Sequence, residues 1–344
     1  MRAMILAAGY GTRLWPLTLD RTKPAIPFLG RPLVGYVAQY LAGYDCREII
    51  VNLHHQPLSV RRALGDGSRF GVHLNYVEEL EILGTSGALD NARDFLERDT
   101  FVVINGKIIT DIDLAAAIET HRRTKAIATL VLRRNAQRER FSVVETERGF
   151  VTGFGSMPGP ILNASDNANE RDSSRINGSG EANDLVPLMF TGIQILEPRI
   201  FDYIPRRRFS HSTTDVYPQA IKHGERIAAH VADGMWYELS TLERYLDISL
   251  VLLAKEGRDV YSGANSVISS QAAVRDSILW ECVTIEAGAQ VRRVVLGDGV
   301  TIRSGRKIEN AAVVRADLIV NAQPPAKALK GEICGDNFVV PLTQ

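Results

Sequence analysis

Leu6-Ala-Ala-Gly-Tyr-Gly-Thr-Arg-Leu-Trp-Pro-Leu-Thr18, entered from the apolar run Arg2 to Ala7 and followed by Lys23-Pro24, is the stretch on which the fold turns. The apolar run suits a buried parallel strand, and Gly9 and Gly11 permit the positive φ angles of a tight turn. A strand ending in such a turn offers bare backbone N–H groups that phosphates can approach closely. Arg13 can fork onto phosphate oxygens, and Lys23 brings a compact ammonium to a second phosphate. The same residues also describe a plain strand, a loop and two solvated cations, and the stretch alone leaves both readings open. The Walker pattern is absent, since no Gly-Lys-Ser/Thr follows, and the dinucleotide fingerprint lacks its third glycine.

Outward from this loop, strand-like and helix-like runs alternate. Glu48–Leu53, His73–Val77, Thr100–Ile104 and Ile127–Leu132 read as strands, and Leu33–Ala42, Ser59–Leu64, Gly87–Phe95 and Leu114–Thr124 as helices. This alternation predicts an α/β fold: a Rossmann-like mixed, mostly parallel sheet flanked by helices, with ligands at the carboxyl ends of its strands. Residues 155–184, rich in Gly, Asn, Ser and Asp, read as a long polar loop with the composition of disorder. Leu185–Leu196 returns as a strand, and Asp215–Lys222 and Thr241–Lys255 as helices. After Gly257 short aliphatic pulses recur about every six residues, with slips. We therefore expect domains at 1–256 and 257–344.

The 344 residues are 45% hydrophobic, enough to bury a large core. Forty basic residues balance forty acidic ones, which leaves no footprint for nucleic acid or an anionic membrane. Cys46, Cys282 and Cys334 form no Cys-x-x-Cys pair and fit a reduced cytoplasmic protein. No apolar run approaches a membrane span, and the start of the chain reads as a strand rather than a signal peptide.

The whole string Leu-Ala-Ala-Gly-x-Gly-Thr-Arg-Leu-x-Pro-Leu-Thr with Lys-Pro beyond it resembles the signature of sugar-1-phosphate nucleotidylyltransferases. Gly84-Thr-Ser-Gly-Ala88, Asn105-Gly106, Phe190-Thr-Gly-Ile193 and Trp236-Tyr-Glu-Leu-Ser-Thr241 follow in that family's order. The layout is most similar to mannose-1-phosphate guanylyltransferases, and the tail resembles the hexapeptide repeat of a left-handed parallel β-helix. The resemblance implies that Leu6, Ala7, Ala8, Gly9, Gly11, Thr12, Gly84 and Thr85 hold the nucleotide. Arg13 and Lys23 would serve the leaving pyrophosphate and the reacting centre, and Gly192 and Trp236 the sugar. Glu79 stands where the family reads the base. A carboxylate matches the N1–H and N2–H of guanine, so GTP is the expected nucleotide and mannose 1-phosphate the expected acceptor. A solvated acidic edge formed by Glu78, Glu79 and Glu81 is the competing account.

Three departures stand out. The family's Asn-Gly-Asp reads Asn105-Gly106-Lys107, its second acidic metal ligand reads Glu238, and its Glu-Lys-Pro triplet is absent before Leu185. The resemblance implies Mg²⁺, with Glu238 as the remaining ligand, whereas Lys107 puts an ammonium where a metal-binding carboxylate is expected and can pair with Glu238. We therefore expect a nucleotidylyltransferase that is slow or metal-independent. The alternative is a catalytically silent homologue that binds a nucleotide or nucleotide sugar and serves as a regulatory or scaffold subunit. Acyl transfer by the repeats is disfavoured, because the last histidine, His230, precedes them. The repeats are expected to mediate homo-oligomerisation, by family analogy.

Overall fold

The computed structural model describes residues 1–156 and 186–342, so the polar loop expected at 155–184 lies, from 157 onward, outside the described residues. In chain order the elements are β1 (Arg2–Leu6), β2 (Pro27–Phe28), β3 (Arg31–Pro32), α1 (Leu33–Ala42), β4 (Glu48–Leu53), α2 (Pro57–Leu64) and β5 (His73–Glu78). Then come α3 (Gly84–Asn91), α4 (Arg93–Leu96), β6 (Phe101–Asn105), β7 (Ile108–Thr110), α5 (Leu114–Thr124), β8 (Ala128–Arg134), β9 (Val144–Glu147) and β10 (Phe150–Phe154). β11 (Leu188–Leu196), α6 (Tyr217–Lys222), β12 (Ile227–Val231), β13 (Trp236–Glu238) and α7 (Leu242–Lys255) precede the repeats. Contacts gather the chain into two compact units. The first comprises Met1–Met4, Leu83–Ile104 and Asp111–Gly234; the second comprises Ile5–Ile82, Asn105–Thr110 and Met235–Gln344.

In the first unit the strand order is β6-β11-β8-β12-β10-β9. β8 and β12 run parallel, as alternation predicts. β11 runs antiparallel to both β6 and β8, and β10 to both β12 and β9, so the sheet is mixed, as expected, but without the expected parallel majority. For β9 and β10 the cause is local. Arg148 and Gly149 take positive φ angles of 49° and 81° between Glu147 and Phe150, which face one another across a two-residue hairpin. Helix α5 starts where Asp113 accepts hydrogen bonds from the N–H groups of Ala115 and Ala116 at 2.9 and 3.2 Å. It buries Leu114, Ala117, Ile118 and His121, the stripe that a 3.6-residue period demands.

In the second unit β4 and β5 lie side by side, parallel from the Glu48/His73 pair to the Leu53/Glu78 pair. Beyond α7 the chain forms parallel coils. Val260 faces Ser277, Val267 faces Thr284 and Thr284 faces Thr301, while Ala273 faces Gln290 and Gln290 faces Lys307. Hydrogen bonds from Val294 N to Ser277 Oγ and from Val283 N to Ser266 Oγ each span 17 residues, the length of one coil. Three hexapeptides would need 18, which is why the aliphatic spacing slips. Positive φ angles recur at the same interval, at Asn265, Cys282 and Gly299, and again at Asp276, Arg293 and Asn310. Leu279, Val283, Ile285, Val291, Val294, Leu296, Val300, Ile302 and Val313 fill the coil interior. Val267 and Ile268, read as part of that pattern, instead stand 61% and 38% exposed in the first coil. An antiparallel strand, Asn337–Pro341, lies against Lys307–Arg315 and ends the parallel stacking.

A second core in this unit joins Leu14, Trp15, Leu17 and Phe28 to Leu242, Tyr245 and Leu246 of α7, and these to Trp280, Val295, Phe338 and Val340 of the coils. Tyr245 Oη donates to Pro27 O and accepts from Trp280 Nε1 at 3.0 Å, so the buried phenol and indole N–H each have a partner. Among the described residues no helix is long and apolar enough to cross a membrane, and the three cysteines are free.

Candidate functional site

β1 runs directly into the glycine loop. Gly106 N donates to Leu6 O at 2.9 Å, and a Cβ at Gly106 would lie 3.0 Å from that oxygen and from Ile5 Cγ2, a tight fit that leaves little room for a side chain. Ala7, 5% exposed, gives its N–H to Asn52 Oδ1 at 2.7 Å. Leu6 and Ala8 are half-buried and Gly9 is exposed. Only Gly11 of the two loop glycines needs its lack of Cβ: its φ is 67°, and an added Cβ would lie 2.6 Å from Lys23 Cβ. Gly9 lies outside the positive-φ region, and a Cβ there meets nothing within 4 Å. Thr12–Leu14 then forms a short 3₁₀ turn that buries Leu14 and leaves Arg13 exposed.

Close to this turn the second unit gathers cations. Lys23 is only 9% exposed and opens its own 3₁₀ turn with Pro24 at the second position. Burial, then repulsion from Lys107, Arg13 and Arg244, outweighs the attraction of Glu238 and pushes its pKa down to about 7. β7 and β13 pair antiparallel, with Glu238 facing Ile108 and Leu239 N donating to Lys107 O at 3.1 Å. That register brings Lys107 Nζ to 2.8 Å from Glu238 Oε1, the pairing the sequence suggested. Burial works to raise the Glu238 pKa, but Lys107, with Lys23 and Arg13, holds it below the ordinary glutamate value. Arg244, in the first turn of α7, donates through Nε to Glu238 O at 3.1 Å, and Thr241 Oγ1 caps that helix by accepting from Arg244 N. Trp236 is 4% exposed and lies on the Glu238 side of β13, opposite Tyr237, which packs on the α7 core.

Glu79 is not a solvated edge. It is 5% exposed, whereas Glu78 and Glu81 face solvent. Asn52, 3% exposed, donates through Nδ2 to Glu79 Oε1 at 2.6 Å. His54 Nδ1 lies 2.8 Å from Glu79 O, and its Nε2 lies 3.2 Å from Tyr10 Oη. Sequence reasoning missed Asn52, His54 and Arg244. For Asn52 a signal existed: one amide in the apolar run Ile49-Ile-Val-Asn-Leu53, at the carboxyl end of a strand.

Gly84, Thr85 and Gly192 belong to the first unit. Gly84 has φ 75°, and a Cβ there would sit 2.4 Å from Ser210 O. Thr85 Oγ1 accepts from Ser212 N at 2.9 Å and Ser86 N donates to Ser210 O at 3.0 Å, so this turn is sewn to residues 210–212. Gly192, φ 81°, stands where the β11/β8 register shifts between Phe190 and Gln194.

The residues around Glu238 do not fit a resident Mg²⁺. A hard dication wants six oxygens and several anionic or water ligands. Here one carboxylate already carries an ammonium at 2.8 Å, and Lys23, Arg13 and Arg244 add positive charge around it. Among the described residues no group of three or more His, Cys, Asp or Glu side chains is placed to hold a metal. The arrangement suits a polyanion instead, because four cationic side chains outnumber the single carboxylate among them.

The nucleotidyl transferase family model matches residues 2–255, and the GlmU-like C-terminal hexapeptide model matches residues 258–322. UTP–glucose-1-phosphate uridylyltransferase of Synechocystis sp. is 31% identical over 274 residues, covering 76% of this chain and 65% of that protein. Mannose-1-phosphate guanylyltransferase of Mycobacterium tuberculosis is 28% identical over 246 residues, covering 71% and 62%. The aligned stretches thus span just under two thirds of these relatives' lengths. A crystal structure of a putative glucose-1-phosphate thymidylyltransferase from Bacillus anthracis in complex with a sucrose shares the fold, with a TM-score of 0.60, 24% identity, and coverage of 73% of this chain and 94% of that one. With its glycine loop, its ordered elements and this match over most of its length, the chain belongs to the nucleotidyl transferase family and carries a hexapeptide-repeat C-terminal region.

Proposed function

We propose that the protein joins a nucleoside triphosphate to a sugar 1-phosphate, giving a nucleotide sugar and pyrophosphate, with GTP and mannose 1-phosphate as the preferred pair. The observation that carries this reading is the set Arg13, Lys23, Lys107 and Arg244 around one carboxylate, beside the Gly11 turn. In the reaction an oxygen of the sugar phosphate attacks the α-phosphorus in line. The new O–P bond forms as the bond to the β-phosphate bridging oxygen breaks, and pyrophosphate leaves with the electron pair. Such chemistry needs positioning and charge stabilisation more than covalent participation. Backbone at Leu6, Ala7, Ala8, Gly9, Gly11 and Thr12 holds the triphosphate, Arg13 takes the leaving pyrophosphate, and Lys23 and Lys107 face charge developing at the α-phosphate. By the family resemblance alone, Gly84 and Thr85 of the first unit serve the nucleotide and its Gly192 the sugar, as does Trp236 of the second. Lys107 supplies the point charge that the family draws from Mg²⁺, without its octahedral templating, so turnover is slow and insensitive to chelation.

The preference for guanine rests on Glu79 being buried and oriented rather than solvated, and relatives of both uridylyl and guanylyl specificity resemble the chain. The boundary at 256/257, the left-handed sense of the coils and self-association through them belong to the same proposal. One observation favours a second reading, that of a silent nucleotide-binding subunit: Lys107 and Glu238 neutralise each other at 2.8 Å. Pyrophosphate release decides between the two. GTP, UTP, dTTP, ATP and CTP are each offered with mannose-, glucose- and N-acetylglucosamine 1-phosphate, in Mg²⁺ and in EDTA. Turnover with GTP and mannose 1-phosphate that survives EDTA supports the proposal; nucleotide binding with no turnover across the panel selects the silent reading.

A further inference from the structure

The phosphate loop and the residue assigned to the base are joined by a single buried amide. Asn52 sits near the end of β4, accepts from Ala7 N at 2.7 Å through Oδ1, and donates to Glu79 Oε1 at 2.6 Å through Nδ2. All three residues are 5% exposed or less. The two bonds fix the amide's orientation, because only an oxygen can accept from Ala7 N–H and only the NH₂ can donate to a carboxylate. A second thread runs beside the first: Tyr10 Oη to His54 Nε2 at 3.2 Å, and His54 Nδ1 to the carbonyl of Glu79 at 2.8 Å. The backbone of Glu79 is pinned as well, its N–H donating to Leu53 O at 2.8 Å.

We propose that Asn52 is the positioning residue for base selection, holding the Glu79 carboxylate in one orientation relative to the phosphate loop. This deepens the function proposed above and rests on it. A carboxylate that rotates freely can meet the donors of any base edge. One held by a short bond to Asn52 presents a fixed pair of acceptors, and guanine, with two adjacent donors, gains most from that fixity. The fixed distance between loop and carboxylate also sets where a base can lie once the triphosphate is seated.

The test separates phosphate from base. Asn52→Asp keeps an oxygen for Ala7 N–H, removes the donor to Glu79 and adds a like charge against it. Asn52→Ser leaves one short hydroxyl that cannot span both bonds, and serves if the aspartate variant does not fold. Dissociation constants are measured by calorimetry for inorganic tripolyphosphate, GTP and UTP. For wild type we expect GTP to bind more tightly than UTP and than tripolyphosphate. In the variants the GTP-over-UTP preference falls about tenfold, the scale of one lost hydrogen bond to a charged group, over and above any loss shared by all three ligands that tripolyphosphate reports. Retention of the wild-type preference by a folded variant overturns the role of Asn52 and leaves the proposed function standing. Equal binding of GTP and UTP by wild type overturns the base assignment itself. A fall in all three affinities by one common factor shows that Asn52 merely supports the loop, and also overturns the proposal.

Discussion

Replacing Lys23 by methionine should make the protein more stable, in a way that depends on pH. Methionine keeps the stem that packs beside Gly11 and removes the ammonium, whose pKa burial and the neighbouring Lys107, Arg13 and Arg244 push down to about 7. In the unfolded chain lysine titrates near its ordinary value of about 10.4. Below pH 7 both states hold the proton, and the folded protein bears the full cost of a buried ammonium. Between about 7 and 10.4 the unfolded state binds a proton that the folded state lacks, so wild-type stability rises with pH. At about 1.4 kcal/mol per pH unit, the cost is at most ~5 kcal/mol. Lys23→Met should thus exceed wild type by roughly that amount at pH 6. The gap should shrink by ~1.4 kcal/mol for each pH unit above 7. Urea unfolding of both proteins from pH 6 to 10, plotted as a difference, removes contributions from groups they share. A difference that stays flat across this range, or a wild type that is the more stable at pH 6, refutes the reasoning. The same charge logic predicts that triphosphate returns the proton, so calorimetry at pH 8 in two buffers should report uptake by wild type and none through this position in the variant.

Gly11→Ala should destabilise the fold by ~2 kcal/mol, from the left-handed φ and the contact with Lys23, and weaken nucleotide binding, whereas Gly9→Ala should leave the denaturation midpoint near wild type. Arg13 is exposed, so Arg13→Ala should leave thermal unfolding unchanged while turnover drops about 10²-fold, the scale of a lost transition-state donor; wild-type rates would sink its assignment. Lys107→Asp puts a second carboxylate beside Glu238 and should confer Mg²⁺-dependent turnover, read as a rate difference between Mg²⁺ and EDTA that wild type lacks. A folded variant that binds nucleotide and shows no such difference counts against substitution of charge for metal.

Local patterns were legible where one physical rule acted alone. The helices Leu33–Ala42 and Leu114–Thr124 and the strand Glu48–Leu53 have the bounds that periodicity predicts. The glycine loop, Arg13 and Lys23 stand out by charge and glycine next to an apolar run, whereas Lys107 and Glu238 are marked only by their departure from the motif of the family the chain resembles, and the structure pairs them at 2.8 Å. What escaped depends on partners distant in sequence. β11 lies antiparallel between β6 and β8 although its own residues spell only an apolar strand. The hairpin at Arg148-Gly149 was legible in principle but lacked the Asn-Gly or Asp-Gly pair that usually marks one. The 17-residue coil hid behind an approximate period of six, since 17 is one short of three hexapeptides and its marker, a positive φ recurring at Asp276, Arg293 and Asn310, has no single residue type. Asn52 gained meaning only when Ala7 and Glu79 arrived on either side of it.

The core that joins Leu14, Trp15 and Phe28 to Trp280, Val295 and Phe338 makes the coils part of the glycine loop's foundation. Trp15 and Phe338 meet edge to face with ring centroids 5.3 Å apart, and Arg21 bonds Asp298 at 2.6 Å while lying over the Trp280 ring. The two ends of the chain therefore cannot be treated as exchangeable cassettes. A graft that kept residues 1–256 and supplied a foreign tail would have to reproduce the apolar surface presented by Trp280 and Phe338, or the turn that carries Arg13 would lose its floor. During synthesis the loop would likewise stay unfinished until the strand Asn337–Pro341 had emerged, more than 300 residues after the loop itself.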